Sequence, residues 1–165
     1  IFNQMSRKDT VTVYIRNTTS PYSIIDSSKG NIDSINFSGV YRFSNVTTGS
    51  YYIVVKHSNC IDVWSKAGGI TTNDSAISYY DFTTSASQAY GSNMVNKGNK
   101  YCMYSGNVNQ DGIIDASDMS LVENAKSIGL SGYVSTDING DYFVDASDLS
   151  VVDNNKDFGI TVIRP

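Results

Sequence analysis

The sequence is short of the residues that build helices and of the motifs that do catalysis. Across 165 residues there are three leucines, seven alanines and one glutamate, Glu123, which argues against a helix-built fold. No run of 18 apolar residues exists, so a membrane-spanning helix is excluded. Two prolines and no repetitive tract exclude collagen-like and proline-rich disordered chains. The single histidine, His57, leaves no HExxH, and GxSxG, Walker and GxGxxG patterns are also missing. There is no basic stripe and no aromatic–basic interleaving, which argues against nucleic acid as a partner. The chain starts at Ile1 with no signal-peptide pattern, which fits a processed N-terminus or a trimmed chain.

What is abundant points to strands. Isoleucine and valine number 31, tyrosine 12, and Ser, Thr and Asn together 52, a vocabulary of β-branched, aromatic and turn-forming side chains. Such a polar, Tyr-rich chain with little Lys or Glu suits a secreted bacterial protein. In residues 10–16 (TVTVYIR) Val11, Val13 and Ile15 alternate toward one face. Further strand candidates are 22–26, 40–46, 50–57, 61–64, 77–83 and 100–104, separated by Gly, Asn and Ser turns at sandwich-like spacing. Residues 51–56 (YYIVVK) are nearly continuous in apolar character and belong at the centre, while 85–98 reads as a loop packing across the sandwich. The expected fold is therefore mainly β, with residues 1–104 forming a β-sandwich domain.

Charge divides the chain at the same place. Residues 1–104 carry nine Lys/Arg against six Asp, a net +3, and residues 105–165 carry three against ten acids, a net −7. These acids recur at fixed spacing among Gly, Ile and Val, which a merely solvated tail does not need, so a cationic partner is expected there.

That spacing belongs to an internal repeat. At an offset of 30, eleven of the 26 positions in 107–132 are identical, including DASD. Numbered as twelve-residue loops, each unit places oxygen-bearing side chains at positions 1, 3, 5, 9 and 12. They are Asn107, Asn109, Asp111, Asp115 and Asp118 in the first loop, and Asp137, Asn139, Asp141, Asp145 and Asp148 in the second. This is EF-hand ligand spacing, with backbone carbonyls of Ile113 and Phe143 at position 7. Two Ca²⁺ ions are the expected cofactors; decayed structural turns are the alternative. Apolar Ile114 and Val144 at position 8 are expected to pair the two loops. Helical stretches follow over 116–127 and 146–156, each ending at Gly129 or Gly159, and no helical pattern precedes the first loop.

These loop–helix units, residues 105–159, resemble dockerin, the duplicated calcium module of cellulosomes and many bacterial surface proteins. Asn109, Asp111, Gly112, Asp118, Asn139, Asp141 and Asp148 match that family's loop pattern. Asn107 departs from its usual first Asp, and Tyr142 stands where the loop glycine makes its sharp turn. The resemblance implies a cohesin partner, chosen in that family partly by loop positions ten and eleven, here Ala116–Ser117 and Ala146–Ser147. The stretch VYRFSNVTTGSYYIVVKHSN, from Val40, resembles transthyretin-like or carboxypeptidase-regulatory-like sandwiches of secreted proteins.

Other candidates are weaker. In a secreted protein Cys60 and Cys102 read as one disulfide, with two buried free thiols as the alternative. A zinc site at His57 and Cys60 would lack ligands, so His57 reads as structural. Trp64 with nearby Tyr residues could stack a glycan, although core packing is the better reading. Asp-Ser/Thr-apolar triplets at Thr10, Ser34 and Ser75 are similar to the O-glycosylation motif of Bacteroidota secreted proteins. With the paired carboxylates assigned to metal loops, no enzyme is expected. Two roles follow: a subunit polymerising head to tail into an extracellular filament, with a strand from residues 1–6 or 160–164 completing a neighbour's sheet, or a dockerin-type module that docks a cohesin or a glycan.

Overall fold

A computed structural model describes residues 9–33 and 35–165. Its main sheet is antiparallel and is built on β1 (Asp9–Asn17), which lies between β2 (Ile24–Ile32) and β3 (Gly49–His57). β4 (Val63–Trp64) and β5 (Ile70–Thr72) pair with β3. A separate hairpin joins β6 (Val95–Lys97) to β7 (Lys100–Cys102). Two helices follow, α1 (Ala116–Ser127) and α2 (Ala146–Lys156), at the bounds the sequence predicts.

The alternation in β1 does what its sequence implies: Val11, Val13 and Ile15 are buried. Direct pairing opposes Val13 to Val55 and Tyr14 to Val54, and Val54 to Trp64. One face of the sheet therefore carries Val13, Val55 and Val63, and the other Tyr14, Val54 and Trp64. Val63 packs with Ala89 and Met94, so the 85–98 segment does cross the sheet. The mainly β fold with two helices is consistent with a β-sandwich. Its second layer consists of the β6–β7 hairpin and three single 3₁₀ turns between Phe82 and Ser92 rather than a full sheet.

Two expected strands do not form. Residues 40–46 stay beside β2 without joining it, because the Asp26 carboxylate accepts the Ser44 and Asn45 N–H groups at 2.7 and 2.9 Å. A side chain thus supplies what a ladder would have supplied. Residues 77–83 leave Ile77 almost wholly exposed and end in a 3₁₀ turn capped by Asp81. β2, conversely, runs six residues beyond its expected end through the mostly polar SSKGNI. It is the outer strand, where alternation is not required.

The two halves share their packing. Ile61, from the front, is fully buried in one cluster with Ile114, Val122, Val144, Val152 and Ile160 of the back. Gly106 N–H donates to Asn59 O at 2.7 Å, and the Asn59 amide donates to Asp137 O at 3.4 Å. No disulfide assists: Cys60 and Cys102 are free thiols, which corrects the expected bridge. Cys60 is buried with Sγ 3.3 Å from His57 Nδ1 and 3.4 Å from Asn59 Oδ1, whereas Cys102 is exposed.

Candidate metal centre and its surroundings

Each loop is wound around carboxylates that collect backbone N–H groups. Asp118 and Asp148, at position 12, are fully buried. Asp118 accepts from the N–H of Asn109 and of Asp115, both at 3.1 Å. Asp148 accepts from Ile138, Asn139 and Asp145 at 2.6, 3.0 and 3.0 Å. Asp115 and Asp145 cap the helices and complete capping boxes with Asp118 and Asp148. Side-chain amides repeat the pattern: Asn109 Nδ2 donates to Asp111 at 2.9 Å and Asn139 Nδ2 to Asp141 at 3.0 Å. Ile113 and Phe143 N–H groups donate to Asp111 and Asp141, both at 2.9 Å.

The backbone repeats as closely. Positive φ occurs at positions 4 and 6 of both loops, at Gln110 (63°) and Gly112 (91°), then at Gly140 (79°) and Tyr142 (77°). Each loop has one glycine and one side-chain-bearing residue in this left-handed region, in exchanged order. Tyr142 therefore does not reshape the second loop; it adopts the glycine's conformation at a steric cost.

The loops do not pair with each other, as position 8 led us to expect. Ile114 N–H donates to Ile160 O (3.0 Å) and Val162 N–H to Gly112 O (2.8 Å). Equivalently, Val144 N–H donates to Leu130 O (3.1 Å) and Gly132 N–H to Tyr142 O (2.8 Å). Each loop is thus clamped by the segment following the other unit's helix, a crossed exchange with two-fold pseudo-symmetry. Ile114 and Val144 still meet, but in the core. The same exchange uses up the C-terminal tail: Thr161 bridges Ile113, and its carbonyl accepts from the Asn93 amide at 3.0 Å. Residues 160–162 are therefore no free donor strand, which corrects one premise of the filament reading. The other donor, residues 1–6, lies outside the described residues.

The donor set fits a hard cation. It consists of carboxylate and amide oxygens, and the position-1 oxygen of the first loop, Asn107 Oδ1, is buried without a hydrogen-bond partner. Burial pushes the Asp118 carboxyl above the usual carboxylate range, against the N–H groups of Asn109, Asp115 and Val108, and the Asp111 charge adds to the rise. Ser117 and Ser147 hold Asp115 and Asp145 below it. Among the described residues no three Asp, Glu, His or Cys side chains converge into a ready cage. Their oxygens are turned to backbone N–H groups instead. In the second loop Asp137 accepts from Gly140, Asp141 and Tyr142 at 2.9–3.1 Å.

The seam beside these loops holds an ion pair that the sequence reading missed. His57 Nε2 lies 2.9 Å from Asp9 Oδ2, and Tyr133, between the two loops, donates its hydroxyl to Asp9 Oδ1 at 3.0 Å. His57 Nδ1 lies 2.9 Å from Asn59 Oδ1. Burial opposes both charges, but the Asp9 and Cys60 contacts raise His57 to about 10, and His57 lowers Asp9 to about 2. Only the β1–β3 register, which sets Val11 opposite His57, would have revealed this pairing.

The remaining candidates fare unevenly. Trp64 is 5% exposed, in edge contact with Tyr22 and Tyr52, so it packs rather than stacking a glycan. Thr10 is half-buried in the sheet and donates to Asn31 Oδ1, whereas Ser75 sits exposed in a turn. Ser34 lies outside the described residues. No helix among the described residues is long and apolar enough to cross a membrane.

No protein-family model matches the chain, and no curated protein matches it. Among solved structures it is similar to a chain of a type II cohesin–X–dockerin complex from Acetivibrio cellulolyticus, a C-terminal interface mutant. The TM-score is 0.52 at 18% identity, covering 92% of this chain and 81% of that chain. The likeness is one of fold.

Proposed function

We propose that the chain is a non-catalytic secreted module whose residues 105–165 bind two Ca²⁺ ions and dock a cohesin-like protein, while residues 1–104 brace that unit. In each loop the side chains at positions 1, 3, 5, 9 and 12, with the carbonyls of Ile113 and Phe143, would hold the ion. When bound, Ca²⁺ supplies charge neutralisation among carboxylates that would otherwise repel. Secretion belongs to the same proposal, with Ser75 as the accessible glycan acceptor.

One observation carries the docking reading: the duplication persists in three dimensions, so the unit presents one surface twice. Ile128 and Phe158, thirty residues apart, are 76% and 77% exposed just past the two helices. Ala116, Ser117, Ala146 and Ser147 are exposed where the helices begin. In support, 92% coverage by the structural neighbour takes in residues of both halves, and that neighbour comes from a complex of the two module types that this reading pairs.

The test is calorimetric titration of a type II cohesin into the calcium-loaded chain. One cohesin per chain should bind; Ile128→Asp and Phe158→Asp should each bind, and the double variant should not. Absence of binding by the parent, or undiminished binding by the double variant, would sink the docking reading. The filament remains a second reading, favoured by the +3 front and −7 back.

A further inference from the structure

A cavity of about 300 Å³ lies between the Tyr14–Val54–Trp64 face of the sheet and the first loop. Three cations distant in sequence line it: Arg16 of β1, Lys56 of β3 and Arg164 of the tail. Two carboxylates, Asp62 and Asp111, are also present. Lys56 is engaged with Asp62 at 3.7 Å. Arg164 makes no ion pair among the described residues, so positive charge is in excess.

The walls also hold unmet hydrogen-bonding groups of both kinds. The Arg16 guanidinium lies 5.1 Å over the Trp64 ring and 5.8 Å from that of Tyr14, and Nη1 donates to Tyr22 O at 3.0 Å. Its Nε is buried and has no acceptor. Across the cavity Gln110 donates through Nε2 to Asn107 O at 2.7 Å, which fixes its amide, while its Oε1 is buried with no donor. A guanidinium held on aromatic faces keeps its fork rigid, which favours a planar, two-oxygen anion. The unpartnered Gln110 oxygen opposite calls for an O–H donor on the same ligand. A neutral sugar would leave the cations unmatched, and inorganic phosphate lacks the hydroxylated body to reach Gln110. The volume, at the lower end of ligand cavities, suits one sugar unit.

We propose that this groove binds a hydroxylated carboxylate, of the class of a hexuronic acid unit in an acidic polysaccharide. Arg16 and Arg164 take the carboxylate and Gln110 accepts from a ring hydroxyl. This site uses neither Ile128 nor Phe158 of the proposed docking surface, although it borders the first loop through Asn107 and Asp111.

The test is titration of the full chain, in calcium-containing buffer, with D-glucuronate, D-glucose and inorganic phosphate, read by calorimetry and ligand-observed NMR. Glucuronate should bind saturably and at least about tenfold more tightly than either control. Arg164→Gln, a change on the exposed tail, should weaken it about tenfold with the melting temperature unchanged; Arg16→Gln should do the same or more. The proposal fails if glucuronate does not bind, if glucose or phosphate binds as well, or if Arg164→Gln binds glucuronate undiminished.

Discussion

His57 joins the start of β1, the end of β3 and the linker between the loops through Asp9, Asn59 and Tyr133. Replacing it with alanine should cost about 1.5–3 kcal/mol in urea unfolding, the range for hydrogen bonds to charged groups. The pH dependence has a definite sign. His57 is raised from 6.5 to about 10, so its contribution is whole below pH 6.5 and is lost as pH rises through 10. Asp9 is lowered from 3.8 to about 2, so its contribution is present above 3.8 and is lost as pH falls through 2. The stability gap between the parent and His57→Ala should therefore be widest near pH 4–6.5 and narrow on either side. A gap that is flat from pH 3 to 10 would contradict the pair. Tyr142 makes the converse case. Its φ of 77° suits glycine, so Tyr142→Gly should raise stability by about 0.5–1 kcal/mol, read as a higher melting temperature in calcium.

The loops illustrate what a sequence shows and what it hides. The repeat of oxygen-bearing side chains and the helix bounds were legible because these residues and the helix caps lie within twelve residues of one another, whereas the expected pairing of Ile114 with Val144 did not form. The crossed clamp was not legible, because the partners of Ile114 and Val144 are backbone atoms of Ile160 and Leu130, and backbone carries no sequence signature. In the front half β1 and β3 were legible from burial-driven alternation. The outer part of β2, residues 27–32, was not, because an outer strand can be polar, and 40–46 was misread because Asp26 took over its N–H groups. Two element-scale outcomes follow. The second loop has four carboxylates at ligand positions and the first has three, so the second should bind Ca²⁺ more tightly, and Asp148→Asn should remove the tighter site in a titration. Ile61→Ala should cost about 2–5 kcal/mol, because a front residue is removed from the core of the back. Its calorimetric melt should broaden or split as the halves uncouple; a loss below about 1 kcal/mol would mean that Ile61 does not join them.

At the scale of the molecule, a mainly β front and a duplicated loop–helix back are fastened by Ile61, by the Asn93–Thr161 bond to the tail and by the Asp9–His57–Tyr133 contacts. A unit fastened in this way presents its repeated surface rigidly, which suits docking better than chain-to-chain strand exchange. Light scattering in calcium should accordingly give the mass of a single chain; a concentration-dependent polymer would favour the filament. The proposed binding of calcium underlies all of this. The most direct measurement is a calorimetric calcium titration of the EGTA-stripped chain, paired with melting curves. The account predicts two ions per chain and a melting temperature higher by about 10 °C when the ion is in hundredfold excess over its dissociation constant. Flat heats, with identical melting in calcium and in EGTA, would contradict it.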